Sequence, residues 1–76
     1  MDVATHVGEV LSSNFGIDTR SVPEDTPLLQ LRLDSLALEE LRVLLEERYG
    51  VDLEDIELSS RNTYGQLLAA VRRRTT

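Results

Sequence analysis

The chain has 76 residues, a formal net charge of -6 and no cysteine, which leaves room for one thin core and excludes disulfides and thiolate metal sites. The acidic balance argues against nucleic acid, whose binders present basic faces that displace counterions, and the single histidine, His6, argues against a His-based metal site or a Ser-His-Asp triad. No apolar run approaches the roughly 20 residues that cross a bilayer, and the start MDVATHVGEV lacks the basic end and apolar block of a secretory signal.

Residues 1–76 are therefore expected to form one soluble, cytoplasmic domain. No repeat, low-complexity segment or sustained strand-like alternation interrupts it.

The first predicted helix runs from Val3 to Phe15. Val3, Val7, Val10, Leu11 and Asn14/Phe15 recur on one side at helical spacing, with Asp2 as cap and Gly16 as stop. His6 lies on the flank of that face, as an ordinary, partly exposed residue. A long connection follows from Gly16 to about Leu33. Pro23, Pro27 and the turn formers Asp18, Ser21 and Asp25 speak against a helix through it. Its Ile17, Val22, Leu28, Leu29, Leu31 and Leu33 imply that it packs on the helices rather than staying disordered.

The second helix is predicted over Ser35 to Tyr49, ended by Gly50. At about 100° per residue, Leu38, Leu41, Leu45 and Tyr49 form the core stripe. Leu36, Glu40, Val43 and Glu47 fall on the opposite face, flanked by Glu39 and Glu46. Aliphatics set among acids on an outer face have the composition of a protein-docking surface, although single exposed aliphatics are also common on ordinary surfaces.

Val51 to Leu58 reads as a short acidic turn of helix fixed by Leu53, Ile56 and Leu58. Its Asp52, Glu54, Asp55 and Glu57 lack the loop glycine and closing glutamate of a helix-loop-helix calcium site. Thr63-Tyr64-Gly65-Gln66 is a capping-box pattern that starts the last helix, with Tyr64, Leu67, Leu68 and Val71 on one side. Arg72, Arg73 and Arg74 suit its negative end. The expected fold class is all-α: three main helices, one short helix, and a long packed loop between the first two.

Charge is uneven along this plan. Asp34, Glu39, Glu40, Glu46, Glu47, Asp52, Glu54, Asp55 and Glu57 face only Arg42 and Arg48 in the same stretch. Such a field either steers a basic partner or keeps a small domain soluble. At the start of the second helix stands Asp34-Ser35. As a nucleophile Ser35 would need a general base and an oxyanion hole, and no glycine-flanked elbow surrounds it. A helix start favours an anion, so a group joined through a phosphodiester suits this hydroxyl better. Asp and Ser also begin many helices with no further role.

The stretch Leu33-Asp34-Ser35-Leu36 resembles the attachment motif of the acyl carrier protein family, which includes acyl, polyketide and peptidyl carriers. The resemblance extends over nearly the whole chain. It takes in the first helix, Leu28-Leu29 ahead of the motif, Leu38-Glu39-Glu40-Leu41, Glu46-Glu47, Gly50-Val51-Asp52-Leu53 and the helix from Thr63 to Val71. It implies a non-catalytic carrier with the four-helix acyl-carrier-type bundle. A phosphopantetheinyl transferase, using coenzyme A, would attach 4′-phosphopantetheine to Ser35, giving a cysteine-free protein its working thiol. Asp34 would orient the site. Leu36, Glu39, Glu40, Val43 and Glu47 would be read by basic patches on the loading enzyme and on downstream synthases or transferases. No metal, nucleic acid or membrane insertion is implied, and a monomer is expected.

Three features depart from the family pattern. Arg32 stands where many relatives have glycine, Leu38 replaces a common polar residue, and three arginines end the chain's last helix. They lean toward a dedicated pathway, in polyketide, lipopeptide or nonribosomal peptide assembly, rather than housekeeping fatty-acid synthesis. Length and Met1 suggest a stand-alone carrier. An unmodified acidic adaptor with the same fold, or a fatty-acid synthesis carrier, is the alternative.

Overall fold

The computed structural model describes residues 2–50, 52, 53, 56 and 58–75. Its helices are α1 (Val3–Phe15), α2 (Ser35–Tyr49) and α3 (Tyr64–Thr75), and no strand is present among the described residues. All three helix starts follow from local chemistry. Asp2 accepts from the Ala4 N–H at 3.1 Å and from the Thr5 hydroxyl at 2.8 Å. Asp34 accepts from the Ala37 N–H at 2.9 Å. At α3 the capping box closes reciprocally: Gln66 N–H donates to Thr63 Oγ1 at 3.2 Å, and Thr63 N–H donates to Gln66 Oε1 at 2.8 Å. Gly16 and Gly50 end α1 and α2 in the left-handed conformation that glycine adopts without strain.

The predicted stripes build the core. Val3, Val7, Val10 and Leu11 of α1 meet Leu38, Leu41 and Leu45 of α2 and Tyr64, Leu67, Leu68 and Val71 of α3, all buried. Each fully buried leucine contributes about 1.5–3 kcal/mol relative to exposure. Phe15 and Tyr49 are half-buried at its edges, and Asn14 is exposed. Where α1 crosses the end of α2, Glu9 pairs with Arg48 and the His6 ring meets Tyr49 edge-on at 5.9 Å. Nδ1 of His6 and the Tyr49 hydroxyl are buried there without a partner among the described residues. Burial holds the Tyr49 phenol above its ordinary value.

The long connection packs as expected through Leu28 and Leu33, both wholly buried, with Ile17, Val22 and Leu31 partly so. Leu29 is the exception, at 60% exposed. The reason is a 3₁₀ turn over Leu28–Leu31, which sends consecutive side chains to different sides. The turn is held by backbone pairing that no local pattern announces. Leu28 N–H donates to Asn62 O at 2.8 Å, Leu29 N–H to Ser60 O at 3.0 Å and Tyr64 N–H to Thr26 O at 2.9 Å. Gly65 N–H also donates to Glu24 O, at 2.8 Å. A side chain at Gly65 would bring its Cβ to 3.0 Å from that same oxygen, so only glycine fits the approach without displacement. The loop is thereby tied to the start of α3.

The short helical turn expected over Val51 to Leu58 falls partly outside the described residues, as do Val51, Glu54, Asp55 and Glu57 themselves. Within it, Leu53 is buried, Ile56 and Leu58 are half-buried, and Ile56 N–H donates to Leu53 O at 3.1 Å.

Candidate functional site

The site begins in the 3₁₀ turn. Arg32 closes it with φ 64 and ψ 24, the one non-glycine residue in the left-handed region among the described residues. Arg32 N–H donates to Leu29 O at 3.0 Å, and Leu33 N–H reaches back to Leu28 O at 3.1 Å. This is the bond pattern of a left-handed helix stop, and it explains why glycine suits the position. A side chain in that conformation costs roughly 1–2 kcal/mol. Leu33 then drops into the core with no exposure, and the chain emerges at Asp34 in extended conformation to start α2.

Asp34 is spent on that start. Its carboxylate takes the Ala37 N–H and its carbonyl takes the Leu38 N–H at 2.9 Å. Ser35 follows as the first residue of α2, exposed, at the helix's positive end. Its hydroxyl makes no hydrogen bond among the described residues. No base can reach it from His6, which touches Tyr49 at the other end of α2, roughly 21 Å away at 1.5 Å per residue. The geometry therefore suits a hydroxyl that an external enzyme modifies. An exposed hydroxyl at a helix N-terminus also matches the chemistry of a phosphodiester link.

Beyond Ser35 the outer face of α2 opens. Leu36 is 78% exposed and Val43 44% exposed, while Leu38, Leu41 and Leu45 beneath them are closed off. Leu36, Glu39, Glu40 and Val43 line one shallow groove with Leu44, Asn14 and Phe15. Glu47 is exposed one turn further along α2. The contribution of Asn14 and Phe15 was not apparent in the sequence, where Phe15 counts toward the core face. It comes from the antiparallel crossing of α1 and α2. The acids are not equivalent: Arg42 engages Glu39, whereas Glu40 and Glu47 make no ion pair among the described residues.

Glu46 differs from its expected place on the flank of this face. Its Oε2 accepts from the Leu53 N–H at 2.8 Å, and its Oε1 lies 3.4 Å from Arg42 Nη1. It ties α2 to the chain that follows. Inside the bundle, Leu41, Arg42, Leu45, Leu53, Ile56, Leu58, Leu67 and Val71 surround only about 10 Å³. That is the scale of one water molecule, so among the described residues these leucines fill the core at this place rather than line a preformed cavity.

A helical bundle that presents an exposed serine at the capped start of an acidic helix has the layout expected of a carrier. Comparison with known proteins agrees. The family described as "Phosphopantetheine attachment site" matches residues 6–71, and the chain belongs to it. Members carry covalent 4′-phosphopantetheine, are not themselves catalysts, and interact with phosphopantetheinyl transferases and acyl-processing enzymes. The chain is 27% identical over 73 residues to an acyl carrier protein of Rhodococcus erythropolis, covering 95% of this chain and 80% of that protein. It is 27% identical over 73 residues to the meromycolate extension acyl carrier protein of Mycobacterium tuberculosis, covering 95% and 64%. A Thermotoga maritima acyl carrier protein is 27% identical over 74 residues, covering 96% and 91%. No solved structure gives a significant match. Among the described residues, no helix is long and apolar enough to cross a membrane.

Proposed function

We propose that Ser35 is the attachment point and that the chain carries an acyl or aminoacyl intermediate between partner enzymes. The observation that carries this reading is the exposed, unengaged Ser35 at the first position of a capped helix, within the family match. Ser35 Oγ forms the new P–O bond, the pyrophosphate bond of coenzyme A breaks, adenosine bisphosphate leaves, and the hydroxyl proton passes to a base on the transferase. Once attached, the arm supplies a terminal thiol that holds the cargo as a thioester. Asp34 fixes the backbone that aims Ser35 outward. Leu36 and Val43 give partners an apolar hold, and Glu40 and Glu47, with Glu39, attract their basic groups.

The pathway reading is a dedicated one, in polyketide, lipopeptide or nonribosomal peptide assembly, acting in the cytoplasm. Its support is the arginine at position 32 and the three that end α3. A second reading, extension of long acyl chains, draws on the printed names of the mycobacterial relatives. The test is incubation with coenzyme A and a broad-specificity transferase, followed by intact-mass analysis. One phosphopantetheine should add to the wild-type chain and none to Ser35→Ala. No increment on the wild type, or one that survives the substitution, overturns the proposal.

A further inference from the structure

Among the described residues, Arg32 contributes no side-chain bond to the fold. Its side chain is exposed, and its guanidinium makes no hydrogen bond or ion pair among the described residues. Arg20, Arg42 and Arg48, by contrast, each hold an acid. The backbone beneath Arg32 is left-handed, a conformation that glycine adopts more cheaply. A strained position therefore carries a permanently charged fork, without an ion-pair partner among the described residues, three residues ahead of Ser35. Three residues of chain span at most about 11 Å, and the long arginine side chain can cover much of that distance. The two residues between them are anchored, Leu33 by burial in the core and Asp34 by its capping bond to the Ala37 N–H.

We infer that Arg32 pairs with the phosphodiester that joins the pantetheine arm to Ser35, and so restrains the root of the arm. This rests on the reading of Ser35 as the attachment point. A guanidinium fork donates two parallel hydrogen bonds to phosphate oxygens, and the diester keeps one negative charge that the nearby carboxylates cannot neutralise. In the sequence the same cation stands two residues before Asp34 and ahead of the acids Glu39 and Glu40.

The test is phosphorus NMR on the holo protein prepared with coenzyme A and a transferase, comparing wild type with Arg32→Gln, Arg32→Gly and Arg32→Lys. Intact mass is recorded on each sample, and circular dichroism establishes that each is folded. Arg32→Gly is included because it relieves the backbone while removing the charge. The wild-type phosphorus resonance should differ from those of the Gln and Gly variants. It should also move toward theirs as salt rises from about 0.01 M to about 1 M, where screening shortens from about 30 Å to about 3 Å. Arg32→Lys should restore part of the difference, as a charge without the planar fork. Identical resonances and salt responses in wild type, Gln and Gly proteins of correct holo mass overturn the inference alone. The same spectra with slower loading of the Gln variant by a partner enzyme would assign the cation to that partner, which also overturns it. A wild-type chain that gains no phosphopantetheine mass overturns the Ser35 reading and this inference together.

Discussion

Replacing Asp34 separates the two roles that meet at the start of α2. In Asp34→Ala the carboxylate that accepts the Ala37 N–H at 2.9 Å disappears, and that amide is left to water. Removing an N-cap of this kind costs about 0.5–2 kcal/mol, with about 1 kcal/mol typical of an exposed site such as this. In a domain of 60–100 residues each kcal/mol lowers the melting temperature by about 4–8 °C, so Asp34→Ala should melt about 4–8 °C below wild type. Asp34→Asn keeps the acceptor and loses only the favourable charge at the helix end, a smaller term of about 0.3–1 kcal/mol. Thermal unfolding followed by far-ultraviolet circular dichroism at pH 7 gives both values. An Ala variant that melts with the wild type, or an Asn variant that falls further than Ala, would refute the capping argument. If the carboxylate charge also guides the transferase, Asp34→Asn should be modified more slowly while staying folded. Equal modification rates would restrict Asp34 to capping.

Three other outcomes are expected. Arg32→Gly should raise stability by about 0.5–1 kcal/mol in denaturant unfolding, since glycine removes the left-handed strain and returns part of that gain as chain entropy. Glu40→Lys combined with Glu47→Lys should slow loading by partner enzymes roughly tenfold or more at low salt, with unchanged helicity, because both acids are exposed and make no ion pair among the described residues. Asp18 is held down to about 2 from its ordinary 3.8, chiefly by the hydrogen bond from the Arg20 side chain. A carboxylate depressed in the folded state stabilises it fully above 3.8 and loses that contribution as pH falls through about 2. Carbon NMR should find the Asp18 midpoint near 2 in wild type and clearly higher in Arg20→Ala.

The helices and their ends were legible because their signals are local. Asp2, Asp34 and the Thr63-Gln66 box act within three residues of themselves, and Gly16 and Gly50 need only their own backbone freedom. The stripe Leu38-Leu41-Leu45 was legible because a helix converts spacing into a face. The same logic separated Leu36 and Val43 from the core. What depended on distant chain was not legible. Leu29 lies in an irregular loop where no period assigns a side, and its exposure follows from pairing with residues 60–63. Glu46 sits where an outer flank is expected, yet its carboxylate is drawn to the Leu53 N–H seven residues on. Arg32 stood out in the sequence only as a departure from glycine. Its left-handed backbone gives that departure a physical meaning.

The central claim is the chemistry of one hydroxyl, and the cleavage pattern of the chain isolates it. Trypsin cuts after Arg32 and Arg42, releasing LDSLALEELR, in which Ser35 is the one hydroxyl residue. Tandem mass spectrometry of this peptide from protein treated with coenzyme A and transferase, with missed cleavage at Arg32 included in the search, should locate the whole phosphopantetheine increment on Ser35. An unmodified peptide, or an increment on one carrying Ser12, Ser21 or Ser59, would contradict the account.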